Sequence, residues 1–178
     1  GVEQNYDTAI EWYEKAAKLN NTQAMYHVGW TYTQEGVANG QKAIEWYEMA
    51  AELNYSDAMA SLGDLYRFGN LVEQDFSKAI EWYEKAAALN NSYAINELGY
   101  VYQIGEGVEV DYEKAFEYYE KAAELGNRAA MNNLTFMYFH GEGLEANPEK
   151  ALEWAKKSAE LGDERGKQNV EYIESQLK

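Results

Sequence analysis

The chain has 178 residues, enough for one domain with a sizeable core and a tight fit for two. Its 31 acidic and 15 basic residues give a net charge of −16, a surface that repels nucleic-acid phosphates and anionic lipid head groups. No run of about 18 apolar residues is present to enter a membrane, no cysteine is present to form a disulfide, and the single proline favours long helices over a loop-rich β fold.

Residues 1–20 contain the string AIEWYEKAA from Ala9 to Ala17. Its small and apolar residues recur at spacings of three and four, the period of an amphipathic helix. Asn5 stands four residues before Ala9, where its side chain can accept from a free helical amide, and Leu19-Asn20 closes the segment. Val2-Glu3-Gln4-Asn5 matches Val72-Glu73-Gln74-Asp75, so the expectation is that the chain begins inside a loop and that a preceding helix belongs to a longer protein. For that reason the lack of a leader sequence carries little weight.

Residues 21–54 add a second pattern, Ala24, Val28, Gly29 and Tyr32, followed by Asn39 and by AIEWYEMAA from Ala43. We call the second pattern helix A and the first helix B. Residues 55–90 repeat both, with Ala58, Leu62, Gly63 and Tyr66, then Asp75 and AIEWYEKAA from Ala79; residues 91–126 do so with Ala94, Leu98, Gly99 and Tyr102, then Asp111 and AFEYYEKAA from Ala115. Residues 127–162 carry Ala130, Leu134, Thr135 and Tyr138, then Asn147-Pro148 and ALEWAKKSA from Ala151. Proline in a first turn forfeits no hydrogen bond, because that amide has no intrahelical partner. Residues 163–178 keep an A register with Gly166, Glu171 and Glu174 at repeat positions, the polar last helix a stacked array needs as its cap.

The B strings recur after 34 residues and then three times after 36. The short interval predicts an A–B loop two residues shorter than the others, near Gly36–Gln41. Trp12, Tyr13 and Tyr32 are expected to fill the space beside the small residues. On the outer side Glu11 and Lys15, Glu81 and Lys85, Glu117 and Lys121, and Glu153 and Lys157 are placed for favourable pairs. Helix pairs of this kind cannot bury their apolar faces singly, so neighbours stack. The fold predicted is all-α, an α/α superhelix, a right-handed solenoid of about ten antiparallel helices in one repeat domain over 1–178.

The Ala-x-x-x-Leu-Gly-x-x-Tyr helix, the loops Gly105-Glu106-Gly107 and Gly141-Glu142-Gly143, and the Lys-Ala-x-x-Trp-Tyr-x-x-Ala-Ala helix together resemble the Sel1-like repeat family, a branch of the tetratricopeptide-type solenoids. The likeness covers essentially the whole chain. Thr135 in place of glycine, Ala155 in place of tyrosine and the short first interval depart from it, and the chain is unlike the family's cysteine-rich secreted members. The resemblance implies a non-catalytic scaffold or adaptor for other proteins.

It also implies that helix A lines a concave groove. Carrying over the tetratricopeptide groove register gives Gln23, Tyr26, Trp30, Thr33 and Gln34; Asp57, Ala60, Asp64, Arg67 and Phe68; Tyr93, Asn96, Tyr100, Gln103 and Ile104; Ala129, Asn132, Phe136, Phe139 and His140; and Arg165, Gln168 and Tyr172 from the cap. In the column Trp30, Asp64, Tyr100, Phe136, Tyr172, four of five residues are aromatic. Trp30, Tyr100 and Phe136 are expected to anchor a partner peptide, with Asn96, Asn132 and Arg67 fixing its direction. The alternative is that the column packs against the next helix A.

Chemistry has little support. His27 and His140 are the only histidines; His27 reads as structural, and His140 with Glu142 is too small a set to specify a metal site. No catalytic residue, metal or cofactor is expected. The partner is a protein or peptide, with a basic one favoured by the charge if the acidic surface does more than confer solubility. The chain is expected to be a monomer, with self-association through its first helix, or a glycan-binding role of the aromatic column, as alternatives. Nothing assigns a compartment.

Overall fold

The computed structural model describes residues 6–177, which form ten α-helices: α1 Tyr6–Ala17, α2 Thr22–Thr31, α3 Gly40–Glu52, α4 Ser56–Phe68, α5 Phe76–Ala88, α6 Ser92–Ile104, α7 Tyr112–Glu124, α8 Arg128–His140, α9 Pro148–Glu160 and α10 Glu164–Gln176. The all-α repeat fold is as expected, with odd-numbered B helices alternating with even-numbered A helices. Asn5, the expected cap of α1, and the 2–4 segment lie outside the described residues. Two compact units are formed, one ending at Asn91 and the other starting at Ser92.

Each predicted B cap that is described is formed. The side chains of Asn39, Asp75, Asp111 and Asn147 accept from the amides of Lys42, Lys78, Lys114 and Lys150 at 2.9–3.0 Å. The same four residues donate their own amides to the carbonyls of Tyr32, Tyr66, Tyr102 and Tyr138 at 2.7–2.9 Å. One residue therefore starts helix B and ties it to the tyrosine of helix A. The lysine beside it completes the tie, with the Lys114 ammonium 3.9 Å from the Tyr102 ring and donating to its hydroxyl at 2.6 Å. B helices end on left-handed residues, Asn20, Asn54 and Asn90 at φ of 58–61° and Gly126 and Gly162 at 80–82°. Asparagine and glycine bear this conformation at least cost.

The packing rests on one contact made in three repeats. The rings of Tyr47, Tyr83 and Tyr119, all buried, lie against Gly29, Gly63 and Gly99 of the preceding A helix. A β-carbon at these glycines would sit 2.6, 2.4 and 2.7 Å from the rings, well inside van der Waals contact. Glycine costs about 1 kcal/mol against alanine inside a helix, and burying an aromatic ring returns more than that. The fourth repeat changes both partners together: Thr135 replaces the glycine and Ala155 the tyrosine, and both are buried. The small residue has moved to the other helix.

Three expectations are corrected. The first A–B loop is not short. Instead α2 has 10 residues where α4, α6 and α8 have 13, and the connection at 32–39 is one residue longer than those at 69–75, 105–111 and 141–147. The early stop is held by side chains, since the Thr33 hydroxyl donates to the Trp30 carbonyl at 2.7 Å and the Gln34 amide donates to it at 3.1 Å. Secondly, Trp12 does not fill the interior; it is 65% exposed, and the buried rings of α3, α5 and α7 are the tyrosines one position on, Tyr47, Tyr83 and Tyr119. Thirdly, Lys15, Lys85 and Lys157 rest over Trp12, Trp82 and Trp154 at 4.6, 3.8 and 3.8 Å, one turn before them, where a ring face outcompetes a solvated carboxylate.

In the second unit a chain of side chains links the A helices. Asn133 donates to the Asn96 oxygen at 3.1 Å, Asn169 to the Asn132 oxygen at 3.3 Å, and Asn132 to the Asp163 carboxylate at 2.7 Å. Asp163 also accepts from the Gly166 amide at 2.9 Å as the cap of α10. The Asn132 bond, followed by the Gly166 amide, holds its carboxyl below the usual range.

Gly63→Ala is expected to lower stability by about 1–3 kcal/mol through overpacking, despite alanine's better helix propensity. In a thermal-melt cycle with Tyr83→Ala, the double variant should lose less than the sum of the two. Additive losses, or a stabilised Gly63→Ala, would contradict the packing described. Because the Asp163 pKa is depressed on folding, its contribution is present above the ordinary carboxylate pKa and is lost as pH falls through the folded value. Asp163→Asn keeps an acceptor but not the charge. Its melting temperature should therefore drop less than the parent's between neutral pH and pH about 3, and equal drops would refute the assignment.

Candidate functional site

Folding assigns the apolar side of each A helix to the core through its alanine, leucine and glycine positions, and this leaves the intervening positions unspent. The repeat register places Trp30, Tyr100, Phe136 and Tyr172 there, and they are 42%, 38%, 47% and 55% exposed. Their neighbours one turn away organise them differently in the two units.

In the first unit a cavity of about 460 Å³ lies between α2 and α4. Five of the sequence-predicted residues meet in it: Tyr26, Trp30, Thr33, Asp64 and Phe68. Its floor is Tyr47, which reaches the cleft because Gly29 lets its ring pass. Burial, and next the neighbouring Tyr26, push the Tyr47 phenol far above its ordinary range, so it stays neutral and polar. Tyr26 is braced by the Tyr47 and Tyr55 rings at 5.6 and 5.5 Å. Asp64 is oriented by the Tyr83 hydroxyl, which donates to it at 2.6 Å.

The corresponding cleft of the second unit, about 250 Å³ between α8 and α10, gathers Asn132, Phe136, Phe139, His140 and Tyr172. Here Asn132 stands where Tyr26 stands in the first unit, Phe136 where Trp30 does, and Tyr172 where Asp64 does. Thr135 lines it, with Ala155 behind in place of a tyrosine ring. The His140 ring packs on Phe136 at 4.3 Å and on Phe139 at 5.1 Å, and Phe139 meets Tyr172 at 5.5 Å. Arg165 also lines this cleft.

Other predicted residues are largely buried or line neither cleft. Arg67, Asn96 and Asn132 are 5–7% exposed. Asn96 donates to Glu97 at 2.8 Å and accepts from Asn133, and both ends of the Asn132 amide are used inside the unit. These three hold the wall in shape and do not present free groups to a ligand. Tyr93 and Tyr100 on α6 line neither cleft. Tyr47, Ser61, Asn133 and Asn169 were not anticipated. Asn133 and Asn169 each bond to an asparagine 37 positions earlier, one more than the repeat interval, a pairing that only the stacked helices bring about.

His27 stacks on Tyr13 at 5.1 Å and meets Tyr26 edge-on at 5.5 Å, a structural place. Glu142 accepts from Gln103 at 2.7 Å while His140 packs on phenylalanines. Among the described residues no group of three or more histidines and acids gathers as a metal site, and no helix is long and apolar enough to cross a membrane.

Comparison with known proteins agrees with this architecture. The Sel1 repeat model matches residues 1–21, 22–55, 56–91, 92–127 and 128–163. A protective antigen of uropathogenic Escherichia coli strains, displaying an SLR fold, is 36% identical with a TM-score of 0.83; the match covers 93% of this chain and 36% of the antigen, so this chain spans about a third of that protein. A Sel1 repeat protein from Oxalobacter formigenes is 30% identical over 99% of this chain and 80% of its own, with a TM-score of 0.81. Cysteine rich protein B of Helicobacter pylori is 32% identical over 75% of this chain and 98% of its own, with a TM-score of 0.60. No curated protein matches the chain. Five matched repeats and the shared helix-pair fold place this chain in the Sel1 repeat family, whose members are generally non-catalytic scaffolds for protein interaction.

Proposed function

We propose that this chain is a non-catalytic scaffold that holds a segment of a partner protein against its A-helix faces, in the clefts beside Trp30 and Phe136. The observation that carries the reading is the exposure of large aromatic rings at positions where folding makes no demand for them. The core is complete without them, since it rests on Leu62, Leu98 and Leu134, the alanines and the buried tyrosines. Exposed rings in pre-formed clefts are the usual source of interface hot spots, worth about 2 kcal/mol or more each. Both clefts are braced from behind, by Tyr47 and Tyr55 in one unit and by the asparagine chain in the other, so little order remains to be imposed on binding. Trp30, Phe136, Phe139 and Tyr172 are the contact residues in this reading, and Arg67, Asn96 and Asn132 position them.

A random-peptide library selected against the immobilised chain tests it. Enriched peptides are expected, and Trp30→Ala or Phe136→Ala should each weaken the peptides seated in its cleft by about 30-fold while melting temperatures stay near the parent's. Failure to enrich any peptide, or unchanged affinities in the folded double variant, would refute the proposal.

A further inference from the structure

We propose that the cleft of the first unit is specific for an arginine side chain of the partner, whose guanidinium stacks on Trp30 and forks onto Asp64. The inference deepens the docking reading above and rests on it. The cleft combines three features that suit a planar cation. Trp30 offers a ring face that the core does not use, at 42% exposure, beside Phe68, whose ring already carries the protein's own Arg67. Tyr26 and Tyr47 close the inner side with further aromatic surface, and Tyr47 stays uncharged. Asp64 is the one formally charged residue lining the cavity.

The geometry of Asp64 is fixed by the fold. The Tyr83 hydroxyl donates to its Oδ1 at 2.6 Å, and Tyr83 is itself immobilised by the close approach at Gly63. A carboxylate accepts several hydrogen bonds at once, so an incoming guanidinium adds to the interactions Asp64 already makes. Guanidinium is more weakly hydrated than ammonium and combines ring stacking with bidentate pairing, which makes arginine the better match for a ring beside a carboxylate. The protein already uses this pairing, since the Arg67 guanidinium lies 5.2 Å from the Phe68 ring; Arg67 does not itself line the cavity. The volume, about 460 Å³, falls among clefts that hold small ligands. With a net charge of −16, the field around the molecule favours arrival of a cation.

The equivalent cleft of the second unit acts as an internal control. Tyr172 stands in place of Asp64, and Arg165 and His140 line it with no carboxylate among them. It should not take a cation.

The test titrates the full chain with N-acetyl-arginine methylamide and with its neutral isostere, N-acetyl-citrulline methylamide, following the Trp30 indole resonance. Arginine should bind at least about tenfold more tightly than citrulline. Asp64→Asn, which keeps an acceptor for Tyr83, should erase that difference, whereas Glu48→Gln, the same charge change at an exposed site on α3, should keep it. Trp30→Phe identifies the resonance by removing it. Equal binding of the two probes, or equal losses in Asp64→Asn and Glu48→Gln, would overturn the inference. Library peptides that bind with no dependence on a basic residue or on Asp64 would also overturn it and leave the docking reading standing. An arginine-selective cleft with no enriched peptide would instead sink the docking reading alone.

Discussion

A tyrosine ring laid on a glycine is the contact on which the rest of this structure depends. It lets helix B press close enough to helix A for rows of alanine to bury completely, and it carries a phenol through to the cleft side. Tyr83 then orients Asp64, Tyr119 donates to Gln103 at 2.7 Å, and Tyr47 floors the first cleft. Core packing and the shape of the cleft are thus set by the same side chain. Where the pair is exchanged, as Thr135 with Ala155, the cleft changes character: its floor is a threonine, it is smaller, and its polar groups come from an asparagine chain.

This coupling explains how a near-identical repeat yields non-identical sites. The alanine, leucine and capping positions cannot vary without loosening the stack, so they recur. Positions such as 26, 30, 64 and 68 carry no such burden, and there the repeats diverge into an aromatic cleft with a carboxylate in one unit and an aromatic cleft with arginine and histidine in the other. The lysines of the B helices contribute to order by lying on rings. Lys114 on Tyr102 and Lys85 on Trp82 each lie over an aromatic ring, and the Lys114 ammonium also donates to the Tyr102 hydroxyl.

Much of the fold was legible in the residues. The caps Asn39, Asp75, Asp111 and Asn147 and the left-handed stops at Asn54 and Gly126 act locally, so a single sequence displays them. The fate of the first short interval was not legible: a helix stopped early and a loop shortened have the same length, and only the Thr33 and Gln34 bonds to Trp30 decide between them. The burial of tyrosine over tryptophan was equally hidden, because adjacent positions on one helix differ by rotation that the string EWYEKAA leaves undetermined. At the candidate site, the repeat register found the exposed aromatics. It misjudged Asn96 and Asn132, whose amides donate to Glu97 and Asp163 and accept from asparagines about a repeat away, pairings that no local pattern reveals.

The central claim is that recognition belongs to the A helices and structure to the B helices. Hydrogen exchange of the chain bound to a library-selected peptide addresses it most directly. The account predicts slowed exchange in the A helices α2 and α4 or α8 and α10, with the B helices α3, α5, α7 and α9 unchanged. Protection centred on the B helices would contradict it.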